Sequence, residues 1–98
     1  MEFFDKLYEE FETTGVRFVG LSTEESRYDF GIVYTDMFFG KPLVICMQTG
    51  RSVLLGHEDT ENEAFIKKSF RIESDEDTKH LSEYFKEIIP GPTLYTQY

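Results

Sequence analysis

The chain has 98 residues, the length of one domain, and 40% apolar with 16% aromatic residues is the composition of a folded chain. Its net charge of −9 argues against binding to phosphate backbones or anionic lipid surfaces. No apolar run approaches the roughly 18 residues of a membrane-spanning helix, and the acidic first segment does not resemble a signal peptide. A single cysteine, Cys46, fits a reducing compartment. We therefore expect a cytoplasmic protein without a membrane segment.

The first segment has helical spacing. Its apolar residues recur at intervals of three and four positions, with glutamates between them, at Phe3, Phe4, Leu7, Tyr8 and Phe11. This spacing predicts an amphipathic helix over about residues 2–13. Gly15 follows the last periodic residue and is suited to a left-handed helix end.

The middle of the chain changes to the period of two that is typical of strands. Two strands are predicted at residues 16–21 and 28–35, joined by the short polar segment 22–26. In the second, Tyr28, Phe30, Ile32 and Tyr34 share one face. Further strands are predicted at 43–47, 52–55 and 65–72, the first two joined by a tight turn at Gly50.

The last element is predicted to be a helix that begins after Ser74. Ser74 and Asp77 resemble a capping box, and the helical apolar spacing runs from Leu81 to Ile89. Pro90 and the residues after it end the helix, leaving a tail over 90–98 that is either flexible or laid across the body of the domain.

These elements predict an α+β fold: a helix, a five-stranded, mainly antiparallel sheet, and a second helix. Both helices should pack on one face of the sheet, because each has a single apolar stripe to bury. We expect one domain over residues 1–98, with its ordered core at about 2–89.

The motifs of catalytic and cofactor sites are missing from the sequence. Cys46 lies between apolar residues of a predicted strand, which favours a buried structural thiol. Phe39-Gly40-Lys41-Pro42 lacks the spacing of a phosphate-binding loop. No catalytic, cofactor-binding or metal-ligating residue is predicted, no cofactor is expected, and the sequence does not support an enzyme.

Two segments remain as candidates for binding. The acidic segment from His57 to Glu63 carries residue types that bind metals, although its spacing is not that of an EF-hand calcium loop. Met37, Phe38 and Phe39 lie in a connection where two adjacent rings cannot both face the sheet core. Exposed aromatic clusters of this kind often form interaction patches, although packing beneath a helix would also explain them.

Four segments, 16–20, 27–36, 39–44 and 48–51, carry a resemblance to known proteins that extends over roughly residues 16–89. Through them the chain resembles a family of short, functionally uncharacterised cytosolic proteins of Gram-positive bacteria, known as a domain of unknown function. The resemblance implies a cytosolic location and supplies no activity or site residue.

Three functions therefore stay open. The first is a non-enzymatic interaction or regulatory module that meets a protein partner, or a second copy of itself, through a sheet edge or through Met37, Phe38 and Phe39. The second is a small-ligand or metal-binding protein that uses residues 57–63. The third is an acidic nucleic-acid mimic that binds a basic protein.

Overall fold

The computed structural model describes residues 3–24 and 26–91, and within them an antiparallel sheet precedes two helices. The strands lie in the sheet in their sequence order. They are β1 (Val16–Ser22), β2 (Arg27–Val33), β3 (Leu43–Cys46) and β4 (Ser52–Leu54), followed by the helices α1 (Glu63–Phe70) and α2 (Asp75–Ile88). In this part of the chain, none of the helices has the length and apolar character needed to cross a membrane.

One face of the sheet, the inner face, forms the core with the two helices. Phe30 of β2 lies opposite Val19 and Cys46, so these three side chains point to the same side. The Phe30 ring meets the rings of Phe70 and Phe85 edge-on, each at a centroid distance of 5.2 Å. The Phe30 ring of the sheet therefore packs against both helices.

Helix α2 runs along β2 and is tied to it by two tyrosines. The Tyr28 hydroxyl donates to Asp77 Oδ2 at 2.7 Å, and the Tyr34 hydroxyl donates to the carbonyl of Ile88 at 3.0 Å. The predicted shared face of Tyr28, Phe30, Ile32 and Tyr34 is confirmed, since all four belong to the core or pack against it.

The other face of the sheet is also apolar. The register aligns its side chains in rows across the strands, because partners in neighbouring strands point to the same side. We call this surface the outer sheet face; its apolar members are Val16, Phe18, Val33, Leu43, Ile45, Met47 and Leu54. Phe18 keeps 74% of its surface exposed, and Val16 and Met47 each keep 48%.

The predicted helix over residues 2–13 is wrong for the described residues of that range, which contain no helix. The chain at 12–15 instead lies beside 34–36: Tyr34 N donates to the Gly15 carbonyl at 3.0 Å, and Thr14 Oγ1 donates to the Tyr34 carbonyl. The periodic residues do not pack on the inner face, because α1 and α2 already cover it. Phe11, for example, is 97% exposed.

The predicted fifth strand at 65–72 is also wrong, because this segment forms α1. Ile66 and Phe70 are four residues apart, so the alternation that suggested a strand also fits one face of a helix, and both are buried. Asn62 Oδ1 accepts from Phe65 N at 3.0 Å and begins the helix, and Arg71 ends it in the left-handed conformation. The sheet therefore has four strands among the described residues, and both helices follow it.

The last predicted helix is confirmed, with bounds close to those expected. Ser74 Oγ accepts from Asp77 N at 3.0 Å, and the acids in the first turn lie at the positive end of the helix dipole. The helix ends at Ile88. Of the predicted tail, residues 92–98 lie outside the described residues.

The aromatic cluster leads to a prediction about stability. Replacing Phe85, which is buried between sheet and helix, with alanine should lower the free energy of unfolding by about 3–5 kcal/mol, because a cavity forms beneath Phe30. Phe39→Ala, the same change at a fully exposed ring, should change it by less than about 0.5 kcal/mol. Urea unfolding measures both. Equal effects of the two variants would contradict the assigned core.

Candidate functional site

The predicted patch of Met37, Phe38 and Phe39 forms a projecting turn at one end of the sheet. We call Met37–Gly40 the aromatic turn. Phe38, Phe39 and Gly40 all have positive φ angles, of 54°, 62° and 76°. Residues other than glycine rarely adopt this backbone conformation, and each one that does so lowers the stability of the fold by roughly 1–2 kcal/mol. The turn is closed by Gly40 N donating to the Met37 carbonyl at 3.1 Å and Lys41 N donating to the Phe38 carbonyl at 3.2 Å.

The strained backbone turns the rings outward. Phe39 is fully exposed and Phe38 is 46% exposed, while Met37 is half-buried. The two rings therefore contribute little to the core. Packing of the segment beneath a helix, the other explanation that the sequence allowed, is not what the structure shows.

An arm of the chain, residues 3–11, runs beside the aromatic turn. Tyr8 and Glu10 face the turn across an open cleft of about 460 Å³. The arm is anchored by Glu12, whose carboxylate accepts from Thr35 Oγ1 and from Asp36 N, each at 2.6 Å. The backbone donor of Asp36 and then the Thr35 hydroxyl hold the pKa of Glu12 below its ordinary value. The anchor is therefore made by the ionised carboxylate.

The acidic segment 57–63 has a different geometry from that of a ligand loop. Its first part is a short 3₁₀ helix in which the backbone N–H of Gly56 donates to Asp59 Oδ2 at 2.9 Å. His57 Nδ1 lies 3.0 Å from the Ile89 carbonyl, and Lys41 Nζ lies within 4 Å of both Glu58 and Asp59. Among residues 3–24 and 26–91, no group of three or more His, Cys, Asp or Glu side chains is arranged to hold a metal ion.

Cys46 is buried on the inner face, opposite Phe30, as the sequence predicted. Its Sγ lies 3.8 Å from Gln48 Oε1. A thiol in this position contributes to packing and is screened from solvent.

Sequence reasoning did not identify a second cleft, which lies between the β1–β2 hairpin and the first half of α2. Its volume is about 600 Å³, and Tyr28, Asp77, His80 and Tyr84 are among the residues that line it. Asp77 is buried and accepts the Tyr28 hydroxyl. The sequence assigned Tyr28 to the core face and Asp77 to the helix cap, and no spacing rule connects residues 49 positions apart.

Comparison with known proteins identifies the family. A family model described as SAV0927-like matches residues 7–87, which include all four strands and nearly all of both helices. The chain belongs to the SAV0927-like family. This membership supports the resemblance to an uncharacterised domain family and does not indicate an activity. No curated protein matches the chain. The Gram-positive source and the cytosolic location stay predictions.

The contact between Tyr28 and Asp77 predicts an altered titration. Burial first, and then the hydrogen bond to Asp77, raise the pKa of the Tyr28 phenol above its ordinary value of 10.0. Because folding favours the neutral phenol, the stability gained from this group is present below pH 10.0 and is lost as the pH rises through the folded pKa.

Asp77→Asn should lower the Tyr28 pKa towards its ordinary value, which ¹³Cζ NMR of labelled tyrosine can follow. Asp75→Asn is the matched control, since this aspartate is on the same helix with its side chain 90% exposed. A Tyr28 titration unaffected by Asp77→Asn would contradict the contact.

Proposed function

We propose that this chain is a cytoplasmic, non-enzymatic protein-interaction module whose contact site is the aromatic turn. The observation that carries the proposal is the fully exposed Phe39 ring, held outward by a left-handed backbone that the core does not require. Strained backbone of this kind concentrates at functional sites. Exposed aromatic anchors are the residues that contribute most to protein interfaces.

The makeup of the turn supports binding rather than catalysis. Met37, Phe38 and Phe39 carry no group that transfers a proton or attacks a substrate. They do provide apolar surface beside an open cleft, which suits insertion into a pocket of another protein.

Charge narrows the class of partner. Glu10 and Asp36 lie near the turn, and the chain as a whole has 19 acidic and 10 basic residues. A partner that surrounds an apolar pocket with basic side chains would be attracted over a distance of about one Debye length, roughly 8 Å at physiological ionic strength. Acidic partners would be repelled.

The test uses a photoreactive phenylalanine analogue at position 39, followed by mass spectrometry of the cross-linked protein. With that partner purified, Phe39→Ala should weaken binding at least about tenfold, as expected for a central aromatic anchor. The control is Phe18→Ala, which removes another exposed ring on the outer sheet face and should leave this affinity unchanged.

Two results would contradict the proposal. One is cross-linking that excess unlabelled chain cannot compete away. The other is partner binding that is insensitive to Phe39→Ala but collapses as salt is added, which would favour the nucleic-acid mimic instead.

Small-ligand binding is a second candidate function, favoured by the cleft beside Tyr28 and Asp77. Its volume of about 600 Å³ lies within the range typical of ligand pockets. Thermal-shift screening of small molecules should then find compounds that raise the melting temperature, and Tyr84→Ala should abolish the rise. A screen without such compounds would contradict this candidate. In the same assay, an unchanged melting temperature with Ca²⁺, Mg²⁺, Mn²⁺ and Zn²⁺ would remove the metal alternative at residues 57–63.

A further inference from the structure

The outer sheet face is an apolar surface of unusual continuity for a small domain. One row across the sheet consists entirely of aliphatic residues, from Val16 at one edge to Leu54 at the other. In the next row, Gly31 lies beneath the Phe18 ring and the Met47 side chain: a Cβ built on Gly31 would lie 3.3 Å from Phe18 Cε1 and 3.0 Å from Met47 Cε. These contacts bury Gly31 but leave Phe18 and Met47 open to solvent.

The carboxylate at this face is already paired. The Asp29 carboxylate accepts from Arg27 Nε at 3.0 Å and from Gln48 Nε2 at 2.6 Å. Gln48 Oε1 in turn accepts from Asp29 N at 2.9 Å. Covering the face would therefore not leave this carboxylate without partners, and the water displaced would come mostly from apolar side chains.

The arm is the second apolar surface without a partner. Its five large apolar side chains, Phe3, Phe4, Leu7, Tyr8 and Phe11, are between 62% and 97% exposed. These side chains are therefore not packed into the core of the domain.

The arm does not cover the outer sheet face of its own chain, since its apolar side chains and Phe18 are all largely exposed. The backbone bond between Gly15 and Tyr34 continues the β1–β2 ladder beyond the end of the sheet, and the Glu12 carboxylate holds the next turn of chain against Thr35 and Asp36. These contacts fix the point at which the arm leaves the domain. A second copy can receive the arm while all of them remain.

We propose that the outer sheet face is the dimer interface of this protein, and that residues 3–11 of each copy cover the outer sheet face of the other. This inference goes beyond the proposed function, because it concerns a surface other than the aromatic turn. A two-fold axis makes the exchange reciprocal, so the contact between an arm and an outer sheet face forms twice in each dimer.

The area available is sufficient for a stable dimer. At roughly 150–250 Å² for each buried aromatic side chain, one arm can bury up to about 800 Å². Two arms and the two faces that they cover then exceed the roughly 1,600 Å² of a standard interface. Because both copies carry a charge of −9, their repulsion is screened by salt, and the dimer should become tighter as salt is added.

Sedimentation velocity of the full chain over a range of micromolar concentrations measures the association. The wild-type chain should be a dimer. Phe18→Ser, and separately Leu7→Ser with Phe11→Ser, should each raise the dissociation constant at least about tenfold. All three residues are largely exposed, so these variants should fold. Phe39→Ser is the matched control, which removes an equally exposed ring from the aromatic turn and should leave the dimer intact.

Disulfide cross-linking determines which chain supplies the arm. Leu7→Cys chains mixed with Phe18→Cys chains should form a linked pair under mild oxidation, while Leu7→Cys mixed with Lys86→Cys, on the exposed side of α2, should not. The native Cys46 is buried and serves as an unreactive background. In the double variant Leu7→Cys with Phe18→Cys, linkage should join two chains.

Several outcomes would overturn the inference: a monomer at every concentration, a disulfide that forms only within one chain, or a dimer that survives both serine variants. Coverage of the face by a different protein, with the chain itself monomeric, would do so as well. A monomer that still binds its partner in a manner dependent on Phe39 would refute this inference alone, and a dimer without such a partner would refute only the proposed function.

Discussion

The contact of Phe30 with Phe70 and Phe85 determines how the rest of the molecule is arranged. Edge-to-face rings at 5.2 Å fix both helices on the inner face. Tyr28 of β2 and Tyr34, just beyond its end, fix the direction of α2 along the strand. A four-stranded sheet of this size has room for two helices on one face. Once α1 and α2 occupy it, any other apolar segment must find the outer sheet face or leave the domain.

This constraint explains which parts of the fold could be predicted from the sequence. In β1, β2 and β3, the strand pattern can be read from neighbouring residues, and this local pattern was sufficient to predict the strands. For α2, the cap at Ser74 and the unbroken apolar stripe were sufficient to predict the helix. At residues 65–72, the spacing of four between Ile66 and Phe70 fits both the two-residue period of a strand and the 3.6-residue period of a helix. The cap at Asn62, which decides for the helix, was the local signal that could have corrected the prediction.

The arm failed as a predicted helix for a different reason. Its spacing is helical, but isolated helices of about a dozen residues are marginal in water and depend on packing for their stability. Whether a surface is available is a property of the whole fold, and α1 had already taken the place assigned to the arm. The cleft beside Tyr28 and Asp77 was missed for a related reason, because tertiary packing joins residues that no spacing connects. In contrast, two adjacent rings in a connection indicated that one of them would be exposed, although not which one; both Phe38 and Phe39 are exposed.

The domain has two separate apolar surfaces, the outer sheet face and the aromatic turn, and each suits a different kind of specific contact. The outer sheet face carries apolar side chains from all four strands, and two identical copies can cover such a face reciprocally. The aromatic turn projects from one end of the sheet and offers few side chains, which suits insertion into a pocket. With 19 acidic residues against 10 basic ones, the net charge of −9 repels non-specific contacts between copies. Only contacts that bury enough apolar area to overcome this repulsion will persist. The negative charge therefore favours contacts through the outer sheet face and the aromatic turn over contacts through other parts of the surface.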